Sequence, residues 1–116
     1  MKVNIFEMVG PNCGSYEDGD KIYNIIYPEV KKGNKVQLDF TKIRVLASPF
    51  LNAAIGHLLQ DIPIEVLKER LEILNVSVDG LVVINRVIDN SITYYANAKN
   101  KKIVDDTFRD KASEDK

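Results

Sequence analysis

The alternation of apolar and polar residues changes its period once, near the middle of the chain. Over residues 35–40 apolar and polar side chains alternate, which predicts a β-strand with one buried face. From Phe50 to Leu59 the apolar side chains recur every three or four residues, as they do on an amphipathic helix. Ser48 and Pro49 lie between the two patterns, and serine followed by proline is typical of a helix N-cap and first turn. The pattern therefore predicts a strand, a turn, and a helix that Ser48 caps.

The same criteria divide the rest of the chain into short elements. Glycine, proline and capping residues mark where each one begins or ends. The first predicted elements are a strand at residues 2–8 and a helix that Asp18 or Asp20 caps and that Gly33 ends; Pro28 should kink or break this helix. A short helix at 63–69 follows the central strand and helix. Residues 71–76 form either a strand or further helix, and a long helix begins after the N-cap Ser77.

The long helix is predicted to form one wall of the core, because its apolar residues recur at helical spacing. Strands separated by helices predict a single α/β domain at residues 1–104, in which helices pack on a sheet of three or four strands. Residues 105–116 have no apolar period and are predicted to be a disordered tail. The predicted core residues are Ile5, Ile26, Val36, Leu38, Phe40, Leu51, Ile55, Leu81, Ile88 and Ile92.

Composition and charge narrow the possible functions. The 116 residues carry 16 basic and 17 acidic side chains, a net charge of −1, which provides no general attraction for nucleic acid or for an anionic membrane. No apolar run approaches the roughly 20 residues of a membrane span, and the N-terminus is too short and too charged for a signal peptide, so we expect a cytoplasmic protein. One cysteine and one histidine supply neither an internal disulfide nor a four-ligand zinc site. We therefore expect no metal and no cofactor.

Candidates for catalytic chemistry are few. Cys13 in a glycine-bearing loop and His57 on the second helix would form a nucleophile and base only if folding brought them together. The acidic residues at 17, 18 and 20 lack the spacing of a calcium loop and are read as a solvated loop and helix cap. The glycines of this loop match no nucleotide-binding pattern. The residues alone leave a small ligand-binding domain or enzyme that uses the 10–20 loop as an alternative function.

The segment from Leu38 to Leu51 resembles the central motif of STAS domains, the anti-sigma-factor antagonists. In those proteins a strand leads through an apolar pair to a serine that a partner kinase phosphorylates, and Ser48 falls on that serine without a gap. The chain is more closely similar to the STAS-like domains of unknown function. The residues that match their pattern are Asp39, Phe40, Ile43, Ser48, Phe50, Leu51, Asn52, Ala54, Gly56 and Leu58.

The chain also departs from the antagonist motif at three positions. Ala47 stands in place of an aspartate, Pro49 in place of a second serine or threonine, and Phe50 in place of a glycine. A weaker similarity covers residues 1–100. These departures bear on phosphorylation more than on the fold.

The resemblance implies a non-catalytic regulatory module that binds another protein. It implies a GHKL-type ATPase or kinase as the partner, phosphorylation at Ser48 as the switch, and no binding to nucleic acid or membrane. Arg44 and Asn52 would then flank a phosphate or a carboxylate of the partner. A structural interaction domain in which Ser48 is never modified remains a further alternative, and a homo-oligomer is also open.

Overall fold

The computed structural model describes the backbone of residues 1–114 and the side chains of residues 1–97. The predicted tail at 105–116 lies outside the described side chains and stays a prediction. The elements in chain order are β1 (Lys2–Asn4), α1 (Ile5–Val9), β2 (Asn12–Cys13), α2 (Tyr16–Lys32), β3 (Val36–Asp39), β4 (Val45–Leu46), α3 (Ser48–Ala54), a 3₁₀ helix (Gly56–Gln60), α4 (Ile64–Arg70), β5 (Leu71–Leu74) and α5 (Val78–Glu114).

The main sheet has three parallel strands in the order β1-β3-β5, which confirms the α/β prediction with β3 as the central strand. Leu38 pairs with Val3 on one side and with Ile73 on the other. Parallel neighbours require crossover connections, and the helices between the strands provide them. The open question about residues 71–76 is settled in favour of a strand, because β5 pairs with β3. A second sheet consists of the short parallel strands β2 and β4.

The hydrophobic core lies on one face of the main sheet. From β3 the side chains of Val36 and Leu38 point into it, and Phe40 is buried just beyond the strand. The opposite face is polar, and there Gln37 donates a 3.0 Å hydrogen bond to Glu72. The alternation read from the sequence is therefore the alternation between the core face and a polar face, on which Gln37 is partly exposed and Asp39 is buried. Seven of the ten predicted core residues are buried, namely Ile5, Ile26, Val36, Leu38, Phe40, Leu51 and Ile55.

Two predictions about the N-terminal part of the chain were wrong, and one of two alternatives at Pro28 is excluded. The first strand ends at Asn4 instead of residue 8, because the Asn4 side chain caps α1 by accepting from the Glu7 N–H at 3.0 Å. The cap of α2 is Ser15, whose Oγ accepts from the Asp18 N–H, and neither Asp18 nor Asp20 has that role. This helix continues through Pro28 to Lys32, which excludes a break at Pro28, whereas the predicted end at Gly33 is confirmed. Pro28 is exposed, so water can satisfy the carbonyl that the proline leaves without an N–H partner.

The region around Ser48 also differs in detail from the prediction. Ala47 is the N-cap of α3, and Ser48 is the first helical residue, so the serine hydroxyl makes no capping hydrogen bond. The strand β4 lies between β3 and this helix. The helix predicted to continue to Leu59 ends at Ala54, and the tighter 3₁₀ helix follows it.

The long helix α5 begins after Ser77, as predicted, since the Ser77 Oγ accepts a 3.0 Å hydrogen bond from the Gly80 N–H. Its buried face was predicted incorrectly. Leu81 and Ile92 are 43% and 38% exposed, and Ile88 is only partly buried. The face that packs on the core is formed by Gly80, Ile84, Val87 and Ser91. The small residues Gly80 and Ser91 in this row let the helix approach the rest of the domain closely. A pattern of large apolar side chains does not indicate such a face.

Candidate functional site

The small sheet of β2 and β4 holds the residues that precede Ser48. The Arg44 N–H donates to the Pro11 carbonyl at 2.8 Å, and the Ala47 N–H donates to the Cys13 carbonyl at 2.9 Å. These bonds attach the segment before α3 to the loop that follows α1. The start of α3 therefore has a defined position although the side chain of its first residue is free.

The three predicted site residues are all exposed, and Arg44 and Asn52 line different cavities. Ser48 begins α3, and Asn52 lies one turn further along the same helix. Arg44 precedes β4 and lines a groove of about 390 Å³ between the loop after β3 and the start of α5. Asn52 lines a different cavity. The role predicted for Arg44 and Asn52, that both flank a phosphate on Ser48, stays a prediction.

The start of α5 carries exposed apolar side chains. A methyl group placed on Gly80 would contact the Leu46 side chain at 3.3 Å, so the start of α5 packs directly against β4. The first two turns of that helix expose Val78, Leu81 and Val82 by 81%, 43% and 51%, and Val45 on β4 is 48% exposed. We call Val78, Leu81 and Val82 the α5 patch, which lies on the side of the helix opposite Gly80 and Ile84. Contiguous exposed apolar surface of this kind is typical of an interaction site.

Cys13 and His57 have surroundings that do not suit a nucleophile and its base. The Cys13 thiol is buried in the core, and burial, followed by the nearby Asp18 carboxylate, raises its pKa to about 11. Little thiolate is present at neutral pH under these conditions. The His57 ring stacks on Tyr23 with the ring centres 4.1 Å apart, and its Nε2 lies 3.0 Å from the Gln60 Oε1.

The acidic residues at the start of α2 interact with neighbouring side chains on the same helix. Asp18 lies 3.4 Å from the Lys21 ammonium, and Asp20 accepts a hydrogen bond from Asn24. Acidic side chains in the first turn of a helix also interact favourably with the positive end of its dipole. Within the part of the chain whose side chains are described, no three histidine, cysteine or acidic residues are grouped to hold a metal.

The carboxyl end of β3 carries a polar network centred on Asp39. Its Oδ1 accepts from the Thr41 hydroxyl at 2.6 Å, from the Thr41 N–H at 3.0 Å and from the Asn75 amide at 3.0 Å. The hydrogen bonds from Thr41, then that from Asn75, hold the pKa of the Asp39 carboxyl well below its usual range. Asn75 follows β5 with φ of 58°, so this network ties the ends of two strands together at the groove that Arg44 lines.

Sequence reasoning missed a second cavity, of about 470 Å³, between the starts of α2 and α3, the 3₁₀ helix and α5. Its described lining consists of Tyr16, Asn52, His57, Asn90, Ser91, Tyr94 and Tyr95. We call it the tyrosine cavity. Two glycines bring its walls together. A methyl group on Gly19 would collide with the Phe50 carbonyl of α3, and one on Gly56 would collide with the Ser91 hydroxyl of α5. In the sequence, the signal for these close approaches is a small residue among the buried positions of a helix, Gly19 in α2 and Ser91 in α5.

Comparisons with known proteins give one finding. No curated protein and no solved structure matches the chain. In the described part of the chain no helix is both long and apolar enough to cross a bilayer. The family model of the STAS-like domain of unknown function (DUF4325) matches residues 18–81, from the first turn of α2 to the start of α5. The chain therefore belongs to the family of STAS-like domains of unknown function.

Proposed function

We propose that this domain is a non-catalytic, cytoplasmic regulatory module that binds a partner protein through Ser48 and the α5 patch. The observations that carry the proposal are an exposed serine at the start of α3, on a backbone fixed by the β2–β4 sheet, and exposed apolar side chains on the first two turns of α5, the helix that packs on β4. Membership of a STAS-like family supports it, since STAS-like domains are generally protein-interaction modules.

The chemistry of this surface suits protein recognition. The three valine and leucine side chains of the α5 patch offer apolar area that a partner can remove from water. Arg44 and Ser48 supply an exposed charge and an exposed hydroxyl. The protonated, buried thiol of Cys13 supports a binding role over nucleophilic catalysis.

Phosphorylation of Ser48 is the switch that the family resemblance suggests. A phosphate adds about −1.5 to −2 charges at neutral pH, enough to repel an acidic partner surface or to recruit a basic one. Ser48 is exposed and its hydroxyl caps no helix, so modification would not break a capping bond. The partner class that follows from the resemblance is a GHKL-type ATPase or kinase.

Two alternatives use overlapping parts of the molecule. In one, the same surface binds a partner but Ser48 is never modified. In the other, a ligand binds at the 10–20 loop, of which Tyr16 lines the tyrosine cavity. Partner-binding measurements separate these possibilities.

The test co-expresses the domain with a candidate GHKL-type ATPase from its organism and measures the affinity of the purified pair by calorimetry. Ser48→Ala should bind like the wild type, whereas Ser48→Asp should bind at least about tenfold more weakly because it mimics the phosphate charge. Val78→Ser should also weaken binding, since Val78 is the most exposed member of the α5 patch. Incubation with ATP should add one phosphate that mass spectrometry maps to Ser48.

Thr93→Asp is the matched control, because Thr93 is exposed on α5 outside the patch and the substitution adds the same charge. It should leave binding unchanged. If Ser48→Asp and Val78→Ser bind the partner as tightly as the wild type, the proposed surface is wrong. If both substitutions weaken binding but ATP adds no phosphate to Ser48, the result would favour an interaction domain in which Ser48 is not modified.

A further inference from the structure

We propose that the tyrosine cavity is a binding site for an uncharged purine, as the free base or as a nucleoside. The site is separate from the partner surface proposed above, apart from Asn52 at its rim, and the inference does not depend on that surface. It rests on the volume of the cavity and the chemical groups of its wall.

The cavity has the size and the construction of a small-molecule site. Its volume of about 470 Å³ lies within the roughly 300–1,000 Å³ of typical ligand pockets. Three helical elements and the start of α2 line this open cavity, and the close approaches at Gly19 and Gly56 fix their spacing. A ligand would therefore enter a largely preformed space.

The aromatic side chains favour a flat ligand. Tyr94 and Tyr95 meet edge to face with ring centres 5.0 Å apart, and Tyr16 adds a third phenol to the wall. Tyr16 and Tyr94 are 54% and 66% exposed, so their rings lie uncovered toward the cavity and solvent. A heteroaromatic ring can stack on such a face, and a base stacked on an aromatic side chain gains substantial affinity.

The polar groups of the wall favour a ligand whose edge has donors and acceptors side by side. Asn52 and Asn90 each present a carboxamide, which offers both kinds of group in one plane. Asparagine pairs in this way with the edge of adenine. Burial, together with the neighbouring Tyr94 and Tyr16, raises the pKa of the Tyr95 phenol, so its hydroxyl stays a donor.

The described lining includes one histidine, His57, and no lysine, arginine, aspartate or glutamate. A charged ligand would lose hydration in the cavity without gaining a permanent opposite charge. A neutral ring avoids that cost. This composition therefore favours the base or nucleoside over the nucleotide, whose phosphates would have to remain in solvent.

The test titrates adenosine and guanosine into the full-length protein by calorimetry, with AMP and GMP as charged counterparts. We expect at least one nucleoside to bind with a dissociation constant on the order of 0.1 mM and its monophosphate to bind no more tightly. Asn90→Leu should weaken that binding about tenfold, because it removes both hydrogen-bonding groups of one carboxamide. Tyr94→Leu, at a second exposed position, should weaken it through loss of a stacking face.

Asn85→Leu is the matched control, since Asn85 is exposed on α5 and lies outside the described lining of the cavity. Its affinity should equal that of the wild type. Absence of binding by both nucleosides at millimolar concentration would overturn the inference. So would equal affinity of wild type, Asn90→Leu and Tyr94→Leu, or a nucleotide that binds more than about tenfold more tightly than its nucleoside. Because Asn90 and Tyr94 lie outside the α5 patch, these results are independent of the partner-binding test.

Discussion

Replacement of Gly19 by alanine should destabilise the domain, although helix propensity alone gives the opposite sign. Gly19 lies inside α2, where alanine is favoured over glycine by roughly 0.5–1 kcal/mol. In the structure a methyl group at this position would collide with the Phe50 carbonyl oxygen and lie 2.8 Å from the Ala53 Cβ. The carbonyl belongs to the backbone of α3 and cannot rotate away, so the two helices must separate.

The expected cost combines the two effects. Overpacking of a tight contact costs about 1–3 kcal/mol, and the backbone obstacle places Gly19→Ala toward the upper end of that range even after the gain in propensity. Since about 1 kcal/mol corresponds to a shift of roughly 4–8 °C in small domains, the melting temperature should fall by several degrees. Urea unfolding followed by far-ultraviolet circular dichroism measures the change directly.

Two companion variants make the result specific to the helix contact. Gly14→Ala should change stability by less than about 0.5 kcal/mol, because Gly14 is exposed and nothing lies within 4 Å of an added methyl group. Adding Ala53→Gly to Gly19→Ala should not restore the wild-type value, since the Phe50 carbonyl remains in place. A Gly19→Ala protein that is as stable as the wild type, or more stable, would refute the close packing of α2 on α3.

Three further predictions concern the core, pH and the tail. Leu38→Ala should lower the free energy of unfolding by about 2–5 kcal/mol, because Leu38 is 1% exposed. Leu81→Ala, at a position that is 43% exposed, should lower it by less than about 1 kcal/mol. Equal losses of the two variants in urea unfolding would contradict the observed buried face of α5. The pKa of Asp39 is lower in the folded than in the unfolded state, so its carboxylate contributes stability above about pH 4 that is lost as the pH falls below that value. Between about pH 5 and pH 2 the free energy of unfolding should therefore fall less steeply for Asp39→Asn than for the wild type, as measured by unfolding curves at each pH. Deletion of residues 106–116 should leave the melting temperature nearly unchanged in a thermal scan, and a fall of several degrees would show that the segment packs on the domain.

Much of the main sheet and its central strand could be predicted from local pattern. The alternation at Val36 and Leu38 depends only on which side chains can leave water, and a strand has just two faces. The predicted site stays a prediction: Ser48 begins a helix, and Ser48, Arg44 and Asn52 are all exposed. The capping role of Ser48 was displaced to Ala47 because the β2–β4 pairing, between segments distant in sequence, sets where the helix begins.

What the sequence determined by itself is the fold class, the central strand and the membership of a STAS-like family, because each depends on apolar periodicity or on a contiguous motif. Only the tertiary structure decided which side of α5 faces the core. Leu81 and Ile92 gave that helix a plausible apolar stripe, but close packing at Gly56 selects a row with the small side chain of Ser91 instead. Burial depends on the shape of the facing surface as well as on hydrophobicity, and that shape is formed by residues far away in the chain. The tyrosine cavity has the same origin, since its lining comes from α2, α3, the 3₁₀ helix and α5 and no single segment contains it.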